Sequence, residues 1–488
     1  MDKPNNDPEF RPSRRAALGI GAGAAALGLT ACLTDQQDAG PTSPVDVIVV
    51  GAGFAGLTAA RRLRAAGKSV VVLEADGRVG GRTKPGKILG EVVDLGGQWV
   101  GPTQTHLLAL AKEMGVATYE QYATGLNVAD IAGHREKYEG ETPALQPEAM
   151  EDFIATITAI ETLAADIPMP RSWEWKSAVE FDGQTIETWI RANAKTETVR
   201  STMRVLTRAL LSAEPSQVSM LCLLAYAASA GGFSALISTR GGAQDSVFEG
   251  GAWQLAEKMS AELGSAIHLD AQVLSISQDD AGVTVKTAKG QWRGRHVVVT
   301  APPPLASRID YTPPMPAMRD GLTQRMPMGC VIKVHIAYPT PFWREQGLTG
   351  LVLSDRTEFG PWFDHSPRNG SGGALVGFFD GGPAQRWADR SPADRRAQVL
   401  KDIATYFGAA ALAPTDYLEE VWARASMQRG GYVASAGPGV LTAFGPALVE
   451  PVGRIHWAGT ETSETWGGYI EGAIRSGERV ALEVTAKL

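Results

Sequence analysis

Short, uninterrupted apolar runs alternate along this chain with stretches of helical period, the pattern of strands buried on both faces with helices packed over them. Val45-Asp46-Val47-Ile48-Val49-Val50 predicts a first strand. A helix is predicted over 57–66, with Leu57, Ala60 and Leu63 on one face and Gly67 as its stop. A second strand over 69–73 ends at Glu74. Further along, the pattern predicts a helix over 252–263, a strand over 271–274 and a strand around Val331, Lys333 and His335 with one polar face. Residues 453–461 read as a strand ending in a turn, and 466–473 open a last helix that runs toward Lys487. Residues 145–230 read as largely helical, with 150–165 the most periodic stretch.

Between the first strand and its helix lies Gly51-Ala52-Gly53-Phe54-Ala55-Gly56. Gly51 permits the tight turn, Gly53 lets the backbone approach a pyrophosphate, and Gly56 lets helix and strand pack closely. The helix start offers free N–H groups and a positive dipole end to phosphates. Glu74, closing the second strand, is placed to accept hydrogen bonds from a ribose 2′-OH. A glycine triplet alone is weak evidence; strand, glycines, helix, strand and terminal acid together point to a dinucleotide.

Composition narrows the field further. The chain has 488 residues, with 46 Lys+Arg against 53 Asp+Glu and a net charge of −7. That length suggests about three structural units or one interwoven pair. A 44% hydrophobic and 20% charged composition excludes a disordered chain and a multi-span membrane protein. No basic stripe points to nucleic acid. Cys32, Cys222 and Cys330 are too few for a disulfide scaffold, and no metal-ligand spacing is present.

The first residues read as an address. Ser13-Arg14-Arg15 precedes an uncharged run over 16–31 that closes with Leu29-Thr30-Ala31-Cys32. A spanning helix is the alternative, but sixteen residues fall short of the roughly 20 that cross hydrocarbon. The paired arginines imply export by the twin-arginine route, which carries folded proteins. The last four residues resemble a lipobox, implying a lipid on Cys32, the one expected membrane attachment. Residues 1–32 are then a signal segment and 33–43 a polar tether.

Arg78-Val79-Gly80-Gly81-Arg82-Thr83 follows the ribose acid, and Asp94-Leu95-Gly96-Gly97-Gln98-Trp99 comes soon after. Here the chain resembles the flavin-containing amine oxidase family, and within it the monoamine oxidases. The resemblance returns around Ile237 and Gln244, over 326–343, and from Trp422 through Gly430-Gly431-Tyr432 to Trp466-Gly467-Gly468-Tyr469. It implies FAD bound by Gly51, Gly53, Phe54, Ala55, Gly56, Glu74, Ala75, Arg82, Gly96, Gly97, Gln98, Trp99, Val273, Trp422, Glu461, Tyr469 and Ile470. It implies a substrate site of Ile237, Gln244, Tyr432 and Tyr469, the tyrosines flanking the amine as an aromatic cage. Lys333, on its own a solvated strand residue, is by resemblance the lysine that holds a water against the flavin N5. With Tyr432 and Tyr469 it makes the expected catalytic set.

Two departures stand out. Asp76 occupies a position where the family often has a second arginine, and Gly431 precedes the first cage tyrosine where some members carry a flavin-linking cysteine. The flavin is therefore expected to be held non-covalently. The implied fold is α/β: a Rossmann-like FAD domain (44–119, 249–322 and 425–488) interleaved with an α+β substrate domain (120–248 and 323–424). The implied reaction is oxidative deamination of a small amine by hydride transfer to flavin N5, with O2 reduced to H2O2. Ala209 and Pro361 stand where some relatives carry larger cavity side chains. Three alternatives remain open: an amine dehydrogenase feeding a carrier protein, an amino-acid or polyamine oxidase, and a flavin-binding protein without turnover.

Overall fold

The structure, a computed structural model, describes residues 43–143 and 145–488. The twin-arginine pair, the apolar run, Cys32 and nearly all of the tether lie outside the described residues. Among the described residues no helix is long and apolar enough to cross a membrane.

Two large sheets organise the chain. The first has eight strands. Val45–Val50 lies at its centre, parallel to Val70–Leu73 on one side and to Gly290–Val299 on the other. Ile455–Trp457, far along the chain, adds parallel to the end of Gly290–Val299. The other half is an antiparallel meander of Gly290–Val299, Gly282–Thr287 and Val273–Asp279, edged by Asp310–Thr312. Val47, Ile48 and Val49 are fully buried, as an apolar run in a covered parallel sheet requires.

Helices Phe54–Ala65 and Ile470–Thr485 pack against each other beside this sheet. Glycine makes the approach possible: a Cβ on Gly477 would come within 2.4 Å of the Ala55 carbonyl oxygen, and one on Gly56 within 2.0 Å of that of Gly51. The first helix starts earlier than its periodicity suggests, because the glycine loop itself turns directly into it. Val273–Asp279 likewise extends well past the predicted strand.

The second sheet has seven strands, with Val331–Tyr338 antiparallel to Gly373–Asp380 and to Asp416–Val421. Leu126–Ile131 joins its far side, parallel to Leu348–Ser354. The strand at Val331 forms as predicted, but its polar face is not solvated: Lys333 is 2% and His335 0% exposed. Pro147–Ala165, Ile186–Asn193, Glu197–Leu211 and Met220–Ala230 are among the helices expected within 145–230, Phe233–Ile237 follows them, and Glu197–Leu211 packs on this sheet. Thr185, Thr196 and Ser219 cap three of them by accepting from amides of the first turn. Ile160, Met203, Leu224 and Phe233 fill their shared core.

Candidate functional site

A cavity of about 540 Å³ is bounded by both sheets and by the ends of several helices. At one end Gly51, Gly53, Phe54 and Ala55 line it. Gly51 has φ +102°, and a Cβ there would meet the Thr300 hydroxyl at 2.5 Å, so only glycine fits this turn. Gly56 does not reach the cavity; its role is the helix–strand contact. Helix Phe54–Ala65 begins at Gly53 with no side chain capping it and no acid in its first turn. Its first amides are therefore free to meet an anion.

Glu74 and Ala75 lie on the same wall. Glu74 is buried, accepting from the amides of Ala52 at 2.5 Å and Asp76 at 2.8 Å. Burial raises its carboxyl above the ordinary value, with those two amides opposing. Asp76 pairs with Arg78 at 3.3 Å, and the Arg78 guanidinium donates to the carbonyls of Val79, Gly81 and Thr83. The loop that departs from the family pattern is thus laced by its own arginine.

Arg82 also lines the cavity, but its head is engaged. It donates to Glu461 at 2.7 and 3.0 Å and to the Tyr432 carbonyl at 2.8 Å. Glu461 lies behind it, off the cavity, with a side chain 2% exposed. Gly96, Gly97, Gln98 and Trp99 run along the next wall. A Cβ on Gly96 would fall 2.0 Å from the Arg82 carbonyl oxygen. Trp422 lines the cavity too, its indole held by the Leu95 carbonyl at 2.8 Å, and Val273 lines it from the meander. Tyr469 and Ile470 bring in the start of helix Ile470–Thr485, again uncapped by any side chain. Its first-turn acid, Glu471, is turned away onto the amides of His106 and Leu107.

At the other end are Tyr432, Tyr469, Ile237 and Gln244. Gln244 donates to the Leu236 carbonyl at 3.2 Å, which fixes its amide against the short helix Phe233–Ile237. Tyr469 stacks on Tyr226, ring centroids 5.8 Å apart at 22°, and meets Trp466 edge-on at 4.9 Å. Tyr432 meets Phe378 edge-on at 6.0 Å. Burial pushes the Tyr469 hydroxyl up to about 12 and raises that of Tyr432 as well. Lys333 donates to the Gly96 carbonyl at 2.8 Å and to the Gln98 side chain, and lies 5.7 Å over the Trp99 ring. Burial lowers its ammonium from the usual lysine range, with buried Asp94 opposing.

The structure therefore brings together on one cavity all the residues singled out from sequence except Gly56 and Glu461, both immediately behind its wall. Sequence reasoning missed Tyr226, Phe363 and Phe378, which line the cavity, and Asp380, which lies behind Tyr432. The signals were faint: a lone tyrosine in the Ala-rich run 220–230, and an acid closing the apolar run 374–379.

Fold and cavity define a dinucleotide-binding protein with an aromatic, largely apolar cavity. Residues 54–485 match the model of the family described as flavin containing amine oxidoreductase, and the chain belongs to that family. It is 39% identical over 446 residues to the "Probable flavin-containing monoamine oxidase A" of Dictyostelium discoideum, spanning 91% of this chain and 98% of that protein. It is 40% identical to the L-amino acid dehydrogenase of Synechocystis over 461 residues, 92% of this chain and 96% of that one. Among solved structures, cyclohexylamine oxidase from Brevibacterium oxydans is similar with a TM-score of 0.88 at 33% identity, covering 91% of this chain and 99% of that one. The protein is a flavin-dependent oxidoreductase acting on amines, with the mixed α/β fold of such enzymes.

The family implies FAD, and the cavity suits it on its own terms. Two uncapped helix starts open onto one wall, and glycine stands wherever a Cβ would collide with the cradle.

Proposed function

We propose that the chain oxidises an apolar amine to an imine, using non-covalently bound FAD and dioxygen, and that it does so after export by the twin-arginine route. The observation that carries this reading is the cavity lining, which brings Tyr432 and Tyr469 together with Leu206, Ile237, Leu353 and Phe363. FAD, when bound along the glycine wall, supplies the two-electron acceptor for the C–H bond beside the amine nitrogen. The apolar wall favours the uncharged amine, whose lone pair the oxidation needs. The two phenol faces orient the nitrogen, and the buried setting excludes water. Lys333 stands beside Gly96 and Gln98 on the wall assigned to the flavin and holds a water against it. Gly51, Gly53 and the first amides of Phe54–Ala65 hold the pyrophosphate, Glu74 the ribose, and the start of Ile470–Thr485 the flavin edge that gains negative charge.

Similarity to an L-amino acid dehydrogenase keeps a second reading in view, an amino acid with a carrier as acceptor. A carboxylate clamp argues for it only if a cation reaches the amine end. The elements Glu197–Leu211, Met220–Ala230, Leu348–Ser354 and Trp362–Asp364 put no cation onto the cavity. Glu141, which a polyamine would seek, is already committed to the amides of Thr239 and Arg240.

Anaerobic mixing with apolar monoamines, diamines and amino acids, followed by flavin bleaching, tests the reading. Monoamines should bleach fastest and release peroxide under air. Bleaching by amino acids alone moves the assignment to the second reading, and bleaching by none removes the enzyme. Because Gly431 offers no thiol, acid precipitation should leave all the flavin in the supernatant. Export is tested by Arg14→Lys with Arg15→Lys, which should strand the protein in the cytoplasm; mass spectrometry of the exported chain reads any lipid on Cys32.

A further inference from the structure

Behind the Tyr432 ring lies a buried acid that the reaction as described does not use. Asp380 ends strand Gly373–Asp380, two residues after Phe378, so both side chains leave the same face of the strand. It is 3% exposed. One carboxyl oxygen accepts from the Ser212 hydroxyl at 2.9 Å, the other from the Tyr432 hydroxyl at 3.4 Å. Ser212 is itself buried and closes helix Glu197–Leu211 with φ +49°. Backbone bonds lock the three segments together: Cys330 N–H to the Ser212 carbonyl at 2.8 Å, Gly381 N–H to that of Cys330 at 2.9 Å, and Gly431 N–H to that of Gly329 at 3.0 Å. Asp380 forms no ion pair among the described residues. The nearest cation, Arg208, is paired with Glu214 at 3.7 Å, and Glu214 also accepts from Gly382. The Cys330 thiol, Tyr226, Tyr432 and Tyr469 are the other titratable groups around this acid and its ring, with Asp389 beside Cys330.

We propose that Asp380 is a positioning residue for the amine: acting through the Tyr432 hydroxyl, its carboxyl fixes the ring that faces the substrate, and its charge state sets which protonation form of the amine the site accepts. The inference rests on the cage reading of Tyr432. Burial pushes this carboxyl up to about 8, against the hydroxyls of Ser212 and Tyr432 and the charge of Arg208. Below that pH Asp380 is neutral, and an uncharged amine enters an uncharged chamber. Above it, a carboxylate stands behind the ring and favours the ammonium, which cannot be oxidised.

The test compares flavin reduction by one apolar amine, under anaerobic conditions, in wild type and Asp380→Asn from pH 6.5 to 9.5. Asparagine keeps both hydrogen-bonding neighbours but cannot ionise, and taking the ratio of the two rates cancels the titration of free amine. The ratio of mutant to wild-type second-order reduction rate should rise about threefold or more, with a midpoint near 8. Ser212→Ala removes a bond that favours the carboxylate, so its midpoint should move upward. Infrared difference spectra should show a protonated-carboxyl band in wild type at pH 7 that is absent from Asp380→Asn. Superimposable pH profiles overturn the proposal while leaving the cage intact, provided Tyr432→Ala is still impaired. If Tyr432→Ala is unaffected, the cage reading itself falls. Should Asp380→Asn not fold, an unmoved midpoint in Ser212→Ala overturns the inference by itself.

Discussion

Replacing Glu461 by glutamine probes the cofactor wall at the Arg82–Glu461 ion pair, whose carboxylate is buried. Glu461 accepts two bonds from Arg82, at 2.7 and 3.0 Å, and a third from the Ala434 amide at 3.2 Å. Glutamine keeps one acceptor oxygen but turns an NH2 toward the guanidinium, so a charge-assisted bond worth about 1.5–3 kcal/mol is lost. Breaking a fully buried pair would cost about 3–5 kcal/mol. The Arg82 side chain is 24% exposed, so it recovers hydration and the lower figure applies, about 2 kcal/mol. For a body of this size that is a fall of about 2 °C in the melting midpoint. The sign with pH is fixed by the carboxyl. Burial acts to raise it, but the Arg82 charge and the bonds from Arg82 and Ala434 hold it below the ordinary glutamate value. Its stabilisation is therefore complete above about 4.3 and fades as pH falls through the folded value. Thermal unfolding of the holoprotein, followed by flavin fluorescence, should show a gap that is constant from about pH 8 to 5 and narrows below that window. A gap under about 0.5 kcal/mol at neutral pH, or one that persists on acidification, would refute the reasoning.

Three further outcomes are expected. Tyr432→Ala and Tyr469→Ala should keep FAD but slow amine-driven flavin reduction about tenfold or more in stopped flow; unchanged rates would remove the cage. Lys333→Met should slow reoxidation of reduced flavin by dioxygen at least about tenfold while flavin content is retained, and equal reoxidation traces would reject its placement beside the flavin. Asp380 keeps, in the folded chain, a proton that the unfolded chain sheds near its ordinary value, so its contribution to stability falls as pH rises toward 8. Urea titrations should accordingly show Asp380→Asn gaining on wild type between about pH 5 and 8, by up to about 1.4 kcal/mol per unit; parallel curves would contradict the burial argument.

What sequence could reveal depended on how far apart the interacting residues lie. The turn from Val45–Val50 through Gly51 and Gly53 into the first helix is local, and every part of its logic is contiguous. The Lys333 strand was legible as a strand, but alternating polarity is the same whether the polar face meets water or a buried acceptor. Its acceptors, Gly96 and Gln98, lie 237 and 235 residues away, and only the fold brings them there. Asp380 was illegible for the same reason: Ser212 is 168 residues from it, and Tyr432 a further 52 beyond. Resemblance supplied the cage tyrosines, yet could not supply an acid that acts from behind one of them.

Burial acts on charge along the whole cavity. Around the two tyrosines, burial raises the carboxyl of Asp380 and the hydroxyls of Tyr226, Tyr432 and Tyr469. Along the glycine wall burial also raises the Glu74 carboxyl and lowers the Lys333 ammonium, but Glu461 is held ionised by Arg82, and two helix starts present uncapped amides. A chamber that keeps its own charges suppressed takes up an amine by stripping its proton rather than by pairing with it. Arg82 and the helix starts at one end, and burial around the tyrosines at the other, thus suit the proposed placing of phosphates and of a neutral nitrogen.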